Sequence, residues 1–186
     1  MASAQPMDAT LDDLYQAEGK AELVGGRIVP IMPTGRRPNL VVGRIYRSLA
    51  GHVDALGSGE AYTDNMGFAV PELSSGRQSF SPDVSYYVGP FPPNAMRFVE
   101  GPPSFAVEVR SENDYGPAAE AELAAKRADY FEAGTAIVWD VDPVAECVRW
   151  YHPAAPDHPG IFRRGQVADA EPAVPGWRVD VTWVFT

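Results

Sequence analysis

Two carboxylates lie on segments that are each predicted to form a strand of one sheet. Glu108 is in the middle of the apolar segment 104–110, and Asp83 begins the segment 83–88. If these strands pair, the two carboxylates meet at one point, where a hard cation such as Mg²⁺ or Mn²⁺ finds the oxygen ligands that it prefers. The backbone carbonyl of Val109 is the natural third ligand. The pattern therefore indicates a metal site held by Asp83 and Glu108.

The neighbours of Glu108 along its strand divide between two faces of the sheet. Ala106 and Arg110 share the face of Glu108, because side chains alternate along a strand. Arg110 could clamp a phosphate group, but it cannot act as a base, since a guanidinium keeps its proton in proteins. Two alternatives stay open: Glu108 faces water on an edge strand, and Asp83 only opens a turn after Pro82.

A lysine lies within the apolar stripe of a predicted helix over residues 118–133. Lys126 comes three residues after Leu123 and four before Tyr130, so its side chain points toward the sheet. In that place it can orient an attacking water and help to deprotonate it. The alternative is a lysine whose stem packs while its ammonium reaches solvent. The polar residues expected on the other side of the helix are Glu122, Asp129 and Glu132.

A divalent cation between two carboxylates, beside a lysine, suits the hydrolysis of a phosphodiester bond. The cation lowers the pKa of a bound water and stabilises the charge that develops on the phosphate. Of the 15 basic residues, only Lys20 and Lys126 are lysines. The position of each lysine is therefore informative.

A mixed α/β fold must position these residues, and we expect a single domain over residues 1–186. The helix pattern of apolar residues and the helix stop signals predict helices, whereas alternating or continuous apolar segments predict strands. The predicted helices are 11–15, capped by Thr10 with Asp13 three residues on, then 40–56 and 118–133. The predicted strands are a hairpin over 21–31 that turns at Gly25-Gly26, then 61–70, 83–88, 104–110, 135–141, 147–151 and 179–185, with a long loop over 89–103.

Amino-acid composition and net charge limit which classes of protein this chain can belong to. The 186 residues are 45% hydrophobic and 22% charged, as in ordinary globular domains. The net charge of −10 argues against a basic nucleic-acid coat, but not against an enzyme that meets phosphates through a local metal. No apolar run reaches the roughly 20 residues of a membrane span. With no signal-peptide core and a single cysteine, Cys147, we expect a soluble, cytoplasmic protein without a membrane partner.

Other cofactor sites lack support in the sequence. The three histidines share no ligand spacing, and no glycine-rich phosphate loop or nucleophile elbow is present, so no nucleotide cofactor is expected. The local basic patch surrounds the first long helix, and it either contacts a nucleic-acid backbone or is a solvated helix face. It consists of Arg36, Arg37, Arg44 and Arg47.

The ordered set of motifs resembles a known family. Pro82-Asp83 followed by Glu108-Val109-Arg110 is similar to the metal-binding core of the PD-(D/E)XK nuclease superfamily, with Arg110 at the usual lysine position. Over nearly the whole chain the sequence resembles the Uma family, described as putative restriction endonucleases and first catalogued as a domain of unknown function. The motifs are Glu22 to Val29, Met32-Pro33, Pro82-Asp83, Ala106 to Val109 with Ser111, Lys126, Tyr130, Ala133-Gly134, and Trp139 with Val141-Asp142-Pro143.

The resemblance implies a restriction-endonuclease-like fold, a mixed central sheet flanked by helices. It implies a Mg²⁺-dependent endonuclease that acts on DNA as a homodimer. In that family the catalytic lysine lies on the helix after the glutamate strand, at the position of Lys126. Glu22 matches an auxiliary acidic residue near the metal, and its alternative is a surface carboxylate beside a hairpin.

A second hypothesis is a catalytically silent binding module that keeps the same fold. Two departures from the family pattern and the net charge of −10 favour it. Arg36-Arg37-Pro38-Asn39 stands where the family usually has a histidine, and Ser111-Glu112-Asn113 replaces its usual Ser-Pro-Ser. Neither departure changes Asp83, Glu108 or Lys126.

Overall fold

The computed structural model describes residues 8–186, and a six-stranded mixed sheet forms its centre. The helices of this part of the chain are α1 (Leu11–Tyr15), α2 (Arg36–Leu56), α3 (Pro117–Ala133) and α4 (Val181–Val184). Its strands are β1 (Ala21–Val24), β2 (Arg27–Pro30), β3 (Glu60–Thr63), β4 (Phe68–Ala69), β5 (Ser79–Phe80), β6 (Val84–Tyr87), β7 (Val99–Glu100), β8 (Phe105–Val109), β9 (Ile137–Asp142), β10 (Cys147–Tyr151), β11 (Gly160–Arg163), β12 (Val167–Asp169) and β13 (Arg178–Asp180).

The central sheet has the strand order β11-β10-β9-β8-β6-β3. Its pairs are antiparallel except for β8 and β9, which run parallel and are connected through α3. A parallel pair needs a crossover connection, and this helix supplies it. The predicted mixed α/β fold is confirmed. Because β8 lies between β6 and β9, the edge-strand alternative for Glu108 is wrong.

One face of the sheet is covered by α2 and by the C-terminal segments. The buried positions of α2 recur at four-residue steps, as an amphipathic helix requires. The helix begins at Arg36, four residues before the predicted start, because Pro38 is tolerated in a first helical turn, where its missing N–H costs no bond. Trp139 and Trp177 stack in this core with their ring centroids 5.0 Å apart.

The opposite face of the sheet is covered by α3 and by a small sheet with the order β5-β4-β7. Tyr130 of α3 is fully buried and stacks on Phe80 with ring centroids 4.1 Å apart. The helix begins with Pro117 at its first position and ends at Gly134, whose φ of 109° suits a glycine cap. This face carries Ala106, Glu108 and Val138, as strand alternation predicted for the first two.

Two predicted strands are wrong in part. The segment 61–70 divides into β3 and β4, because Asp64 and Asn65 form a turn in which Asn65 has φ 74°. The predicted strand 179–185 is a short β13 followed by α4. Asp180 accepts hydrogen bonds from the N–H groups of Thr182 and Trp183, so it caps a helix where the strand would have continued.

The predicted N-terminal elements are confirmed. Helix α1 has the expected capping box between Thr10 and Asp13. Strands β1 and β2 form the expected hairpin at Gly25-Gly26, both with positive φ. The long loop 89–103 contains one short strand, β7, which pairs in parallel with β4. None of the helices among residues 8–186 is long and apolar enough to cross a membrane.

Candidate active site

Pairing of β6 with β8 brings Asp83 beside the strand of Glu108. Val84 lies opposite Val107, and the Asp83 N–H donates to the Val107 carbonyl at 3.0 Å. The Asp83 carboxylate accepts a hydrogen bond from the Val109 N–H at 2.7 Å. Both carboxylates line one groove, each with about a fifth of its side chain exposed (23% and 19%). The strand pairing that the sequence argument required is therefore present.

Lys126 points toward the sheet, as its place in the helix stripe predicted. Its Nζ lies 2.9 Å from Glu108 Oε1 and 3.1 Å from Glu22 Oε1. The Tyr130 hydroxyl, one helical turn further along α3, donates to the same Glu108 oxygen at 2.6 Å. Glu108 is thus oriented by two donors from one helix, both at its Oε1 atom.

Glu22 is buried (5% exposed), so the surface-carboxylate alternative is wrong. It accepts a hydrogen bond from the Ser81 N–H at 2.9 Å and forms ion pairs with Lys126 and Arg77. Arg77 also donates from Nε to Asp129 at 2.8 Å. These contacts tie the β1–β2 hairpin and the segment before Asp83 to α3.

The burial of Asp129 corrects one expectation about α3. Glu122 and Glu132 are exposed, but Asp129 is 6% exposed and faces the protein. It lies three residues after Lys126, on the flank of the inward-facing stripe, and its ion pair with Arg77 compensates for the loss of water.

Arg110 lines the groove but is 3% exposed. Its Nε and Nη2 each donate to Asp140 at 2.6 Å, and its Nη1 and Nη2 reach Glu120. Such a two-pronged pair fixes both partners. The guanidinium that the sequence offered as a phosphate clamp is engaged in these pairs, which join the end of β8 to β9 and to the first turn of α3.

The pKa values of Asp83 and Glu22 are shifted in opposite directions. Burial and the neighbouring charge of Glu108 raise the pKa of Asp83 to about 6, against the opposing effects of Lys20, the Val109 N–H and Lys126. For Glu22, burial raises the pKa, but the cations Lys126 and Arg77 outweigh it and lower the value to about 2. The Asp83–Glu108 pair therefore carries negative charge that protein cations compensate only in part.

This donor set fits a magnesium-type cation. Two carboxylates line one groove, and burial together with the charge of Glu108 raises the pKa of Asp83. Within residues 8–186 no third histidine, cysteine or carboxylate completes a cluster of ligands. Mg²⁺ is commonly held by one or two carboxylates, with water and substrate oxygens filling its remaining positions.

Lys20 is a site residue that the sequence argument did not assign. It lies just before β1, and its Nζ pairs with Asp64 and lies 3.6 Å from Asp83 Oδ1. Both lysines of the chain are therefore in this one groove, whose volume is about 650 Å³. The signal that could have found Lys20 is the scarcity of lysine.

The basic patch of α2 lies on the other face of the sheet. Arg37 pairs with Glu146, Arg44 donates to the Val184 carbonyl, and Arg47 lies over the Trp183 ring. None of these arginines is among the described residues that line the groove. The patch therefore does not contribute to the candidate active site.

The comparisons with known proteins agree with this architecture. The sheet is mixed, its parallel strands are connected through a helix, and helices cover both of its faces. This architecture places the chain in the restriction-endonuclease-like class of folds. Residues 8–182 match the family described as "Uma2: Putative restriction endonuclease". The chain belongs to this Uma2 family.

A solved structure has the same fold. It is described as a "putative nuclease belonging to DUF820" from Anabaena variabilis, and it is 17% identical to this chain. The TM-score is 0.73, and the similarity covers 95% of this chain and 97% of that one. The curated proteins include no match to the chain.

Proposed function

We propose that the protein is a Mg²⁺- or Mn²⁺-dependent endonuclease that hydrolyses phosphodiester bonds of DNA. The observation that carries the proposal is the convergence of Asp83, Glu108 and Lys126 in one groove. Asp83 and Glu108 reach it from paired strands, and Lys126 reaches it from α3 with its ammonium 2.9 Å from Glu108. Membership of the Uma2 family supports a nuclease activity.

In the proposed mechanism Asp83 and Glu108 hold the metal. The Val109 N–H keeps the Asp83 carboxylate turned toward the groove, and the Tyr130 hydroxyl does the same for Glu108. The Val109 carbonyl is the proposed third protein ligand. When bound, the cation lowers the pKa of water and stabilises the negative charge of the reacting phosphate.

Lys126 orients the attacking water by donating a hydrogen bond. Burial disfavours its ammonium, but Glu108 and Glu22 outweigh burial and raise the pKa of Lys126 above its ordinary value. An ammonium with a raised pKa donates hydrogen bonds and keeps its proton at neutral pH. This supports the orienting role rather than deprotonation by the lysine. Glu22 is the auxiliary residue, because it fixes the lysine from the side away from Glu108.

The test is calorimetric titration of Mg²⁺ and of Mn²⁺ into the wild type and into Asp83→Asn, with nicking of supercoiled plasmid on the same samples. We expect Asp83→Asn to lose metal binding and to reduce nicking by at least roughly 10²-fold, because one of two protein carboxylate ligands is gone. Asp54→Asn is the matched control, since Asp54 is exposed on α2 and on the opposite face of the sheet.

Each result has a distinct meaning. Loss of binding and nicking in Asp83→Asn, with both retained in Asp54→Asn, supports the proposal. A wild type that binds neither metal would contradict it and would favour the catalytically silent binding module.

The remaining parts of the proposal concern partners and location. Restriction-type nucleases commonly pair to cut two strands, and we include a homodimer in the proposal for that reason. A single cysteine, Cys147, which is buried and free, is compatible with the proposed cytoplasmic location. Sedimentation of the protein with and without a DNA duplex tests the oligomeric state, and a monomer under both conditions would contradict the homodimer.

A further inference from the structure

The groove contains a second lysine, Lys20, whose environment differs from that of Lys126. Lys20 lies just before β1 and two residues before Glu22, and both residues line the groove. The backbone of Lys20 is held by the hairpin, since its carbonyl accepts the Ile31 N–H at 2.9 Å. The ammonium of Lys20 is therefore delivered from a fixed backbone position to the Asp83 side of the carboxylate pair.

The other groove cations cannot leave their partners without stranding buried charge. Arg77 pairs with Glu22 and Asp129, whose side chains are 7% and 8% exposed. Arg110 pairs with Asp140 at 2% exposure, and Lys126 lies between two carboxylates. An uncompensated buried carboxylate is strongly destabilising, so these three cations are committed to the protein.

Lys20 differs because its hydrogen-bond partner is open to water. The Asp64 side chain is 48% exposed and lies in the turn after β3. Water can solvate that carboxylate when Lys20 leaves it, so the exchange strands no buried charge at Asp64. Among the residues that the structure describes around the groove, Lys20 is thus the cation that can exchange a protein carboxylate for an anionic ligand.

We propose that Lys20 binds a backbone phosphate of the nucleic-acid substrate, on the Asp83 side of the candidate metal site. The assignment rests on the proposed nuclease function and adds a substrate contact to it. Asp64 holds the ammonium at the edge of the groove until a phosphate oxygen replaces the carboxylate. Lys20 and Lys126 then divide their tasks: the first binds the substrate, and the second orients the attacking water.

The experiment measures the salt dependence of binding to a short fluorescein-labelled DNA duplex by anisotropy. Ca²⁺ replaces Mg²⁺ so that the duplex stays intact. Each phosphate contact contributes about 0.9 to the slope of log K against log salt. We expect Lys20→Met to bind several-fold more weakly and to lose about 0.9 of that slope. Lys20→Arg restores the slope because it keeps the charge, and Asp64→Asn retains it because the lysine is still present.

A Lys20 that served only to anchor Asp64 would give a different pattern. In that case Asp64→Asn would weaken binding as much as Lys20→Met, and this result overturns the assignment. An unchanged slope in Lys20→Met also overturns it. Mg²⁺ titration and plasmid nicking of the wild type report separately on the proposed function. A wild type that nicks DNA while Lys20→Met keeps the wild-type slope therefore rejects the phosphate contact alone.

Discussion

Two neighbouring carboxylates determine the protonation of Lys126. Its ammonium lies within 3.1 Å of a carboxylate on each side, one from β8 and one from the β1–β2 hairpin. Both carboxylates favour the charged lysine, which makes it a hydrogen-bond donor and a poor proton acceptor. These contacts therefore favour the orienting role that we propose, and substitutions that separate charge from proton transfer test it.

Replacing Lys126 tests whether charge or proton transfer matters. We expect Lys126→Gln to reduce plasmid nicking by roughly 10²- to 10³-fold, the usual loss when a preorganised donor is removed. Lys126→Arg keeps the positive charge and cannot accept a proton, so we expect it to retain more activity than the glutamine variant. Initial nicking rates with Mg²⁺, on variants matched in circular dichroism, measure both. Equal inactivity of the two variants would point to proton transfer by the lysine.

At the scale of elements, three pieces of secondary structure deliver the site. The β6–β8 pair carries the two proposed metal ligands, α3 carries Lys126, and the β1–β2 hairpin carries Lys20 and Glu22. The hairpin is not a member of the central sheet. It is attached by the Leu23 N–H, which donates to Ser79 at 2.7 Å, and by the ion pairs of Arg77.

The short helix α4 depends on its cap. Asp180 accepts from the Thr182 N–H at 2.6 Å and from the Trp183 N–H at 3.2 Å, and the helix buries Val181 and Val184 against the α2 side of the sheet. We expect Asp180→Ala to lower the free energy of unfolding by about 1 kcal/mol, and Asp180→Asn to have little effect. Urea denaturation followed by tryptophan fluorescence measures the difference. Equal destabilisation by both variants would mean that the charge, and not the cap, is responsible.

Helices and strands with a clear periodic pattern of apolar residues could be predicted from the sequence. Short strands that form only by pairing with distant segments could not. The stripe of α2 and the apolar segment of β9 are long enough for local pattern to decide. Strands β4, β5 and β7 have two residues each, too few for any period, and they exist because distant segments pair. The final segment alternates apolar and polar residues like a strand, yet Asp180 as a cap outweighs that pattern.

The same distinction applies to the site. Strand alternation and helix spacing were sufficient to place Asp83, Glu108 and Lys126 in one groove. The pairs of Arg77 with Glu22 and of Lys20 with Asp64 join residues that are 55 and 44 positions apart. Local pattern carries no information about such contacts, so the burial of Glu22 and the position of Lys20 required the structure.

For the whole molecule, the ion-pair network sets how stability responds to acid. Glu22 is buried and joins the hairpin to α3 and to the segment before Asp83. Its pKa is lowered from 4.5 to about 2 in the folded protein. A carboxylate whose pKa is lower in the folded than in the unfolded protein stabilises the fold at pH values above its unfolded-state pKa. This stabilisation is lost as the pH falls through the folded-state pKa.

Acid titration of Glu22→Gln tests this linkage. At pH 7 we expect the variant to be less stable than the wild type by roughly 3–5 kcal/mol, because Arg77 and Lys126 each lose one of their two carboxylate partners. This gap, the difference in the free energy of unfolding between wild type and variant, should stay constant down to about pH 4.5. It should narrow between pH 4.5 and pH 2, where the wild-type carboxylate becomes protonated. Urea unfolding at a series of pH values gives the gap. A gap that is independent of pH over this whole range would contradict the assignment.

The hairpin is attached separately from the central sheet, so the groove is built by two independent sets of contacts. The two proposed metal ligands come from adjacent strands joined by one loop, and they are in register once β6 and β8 pair. The contact of Glu22 with Lys126 and the position of Lys20 depend instead on a segment outside the central sheet. A displaced hairpin would therefore withdraw Glu22 and Lys20 together, while Asp83 and Glu108 stayed in register on the central sheet.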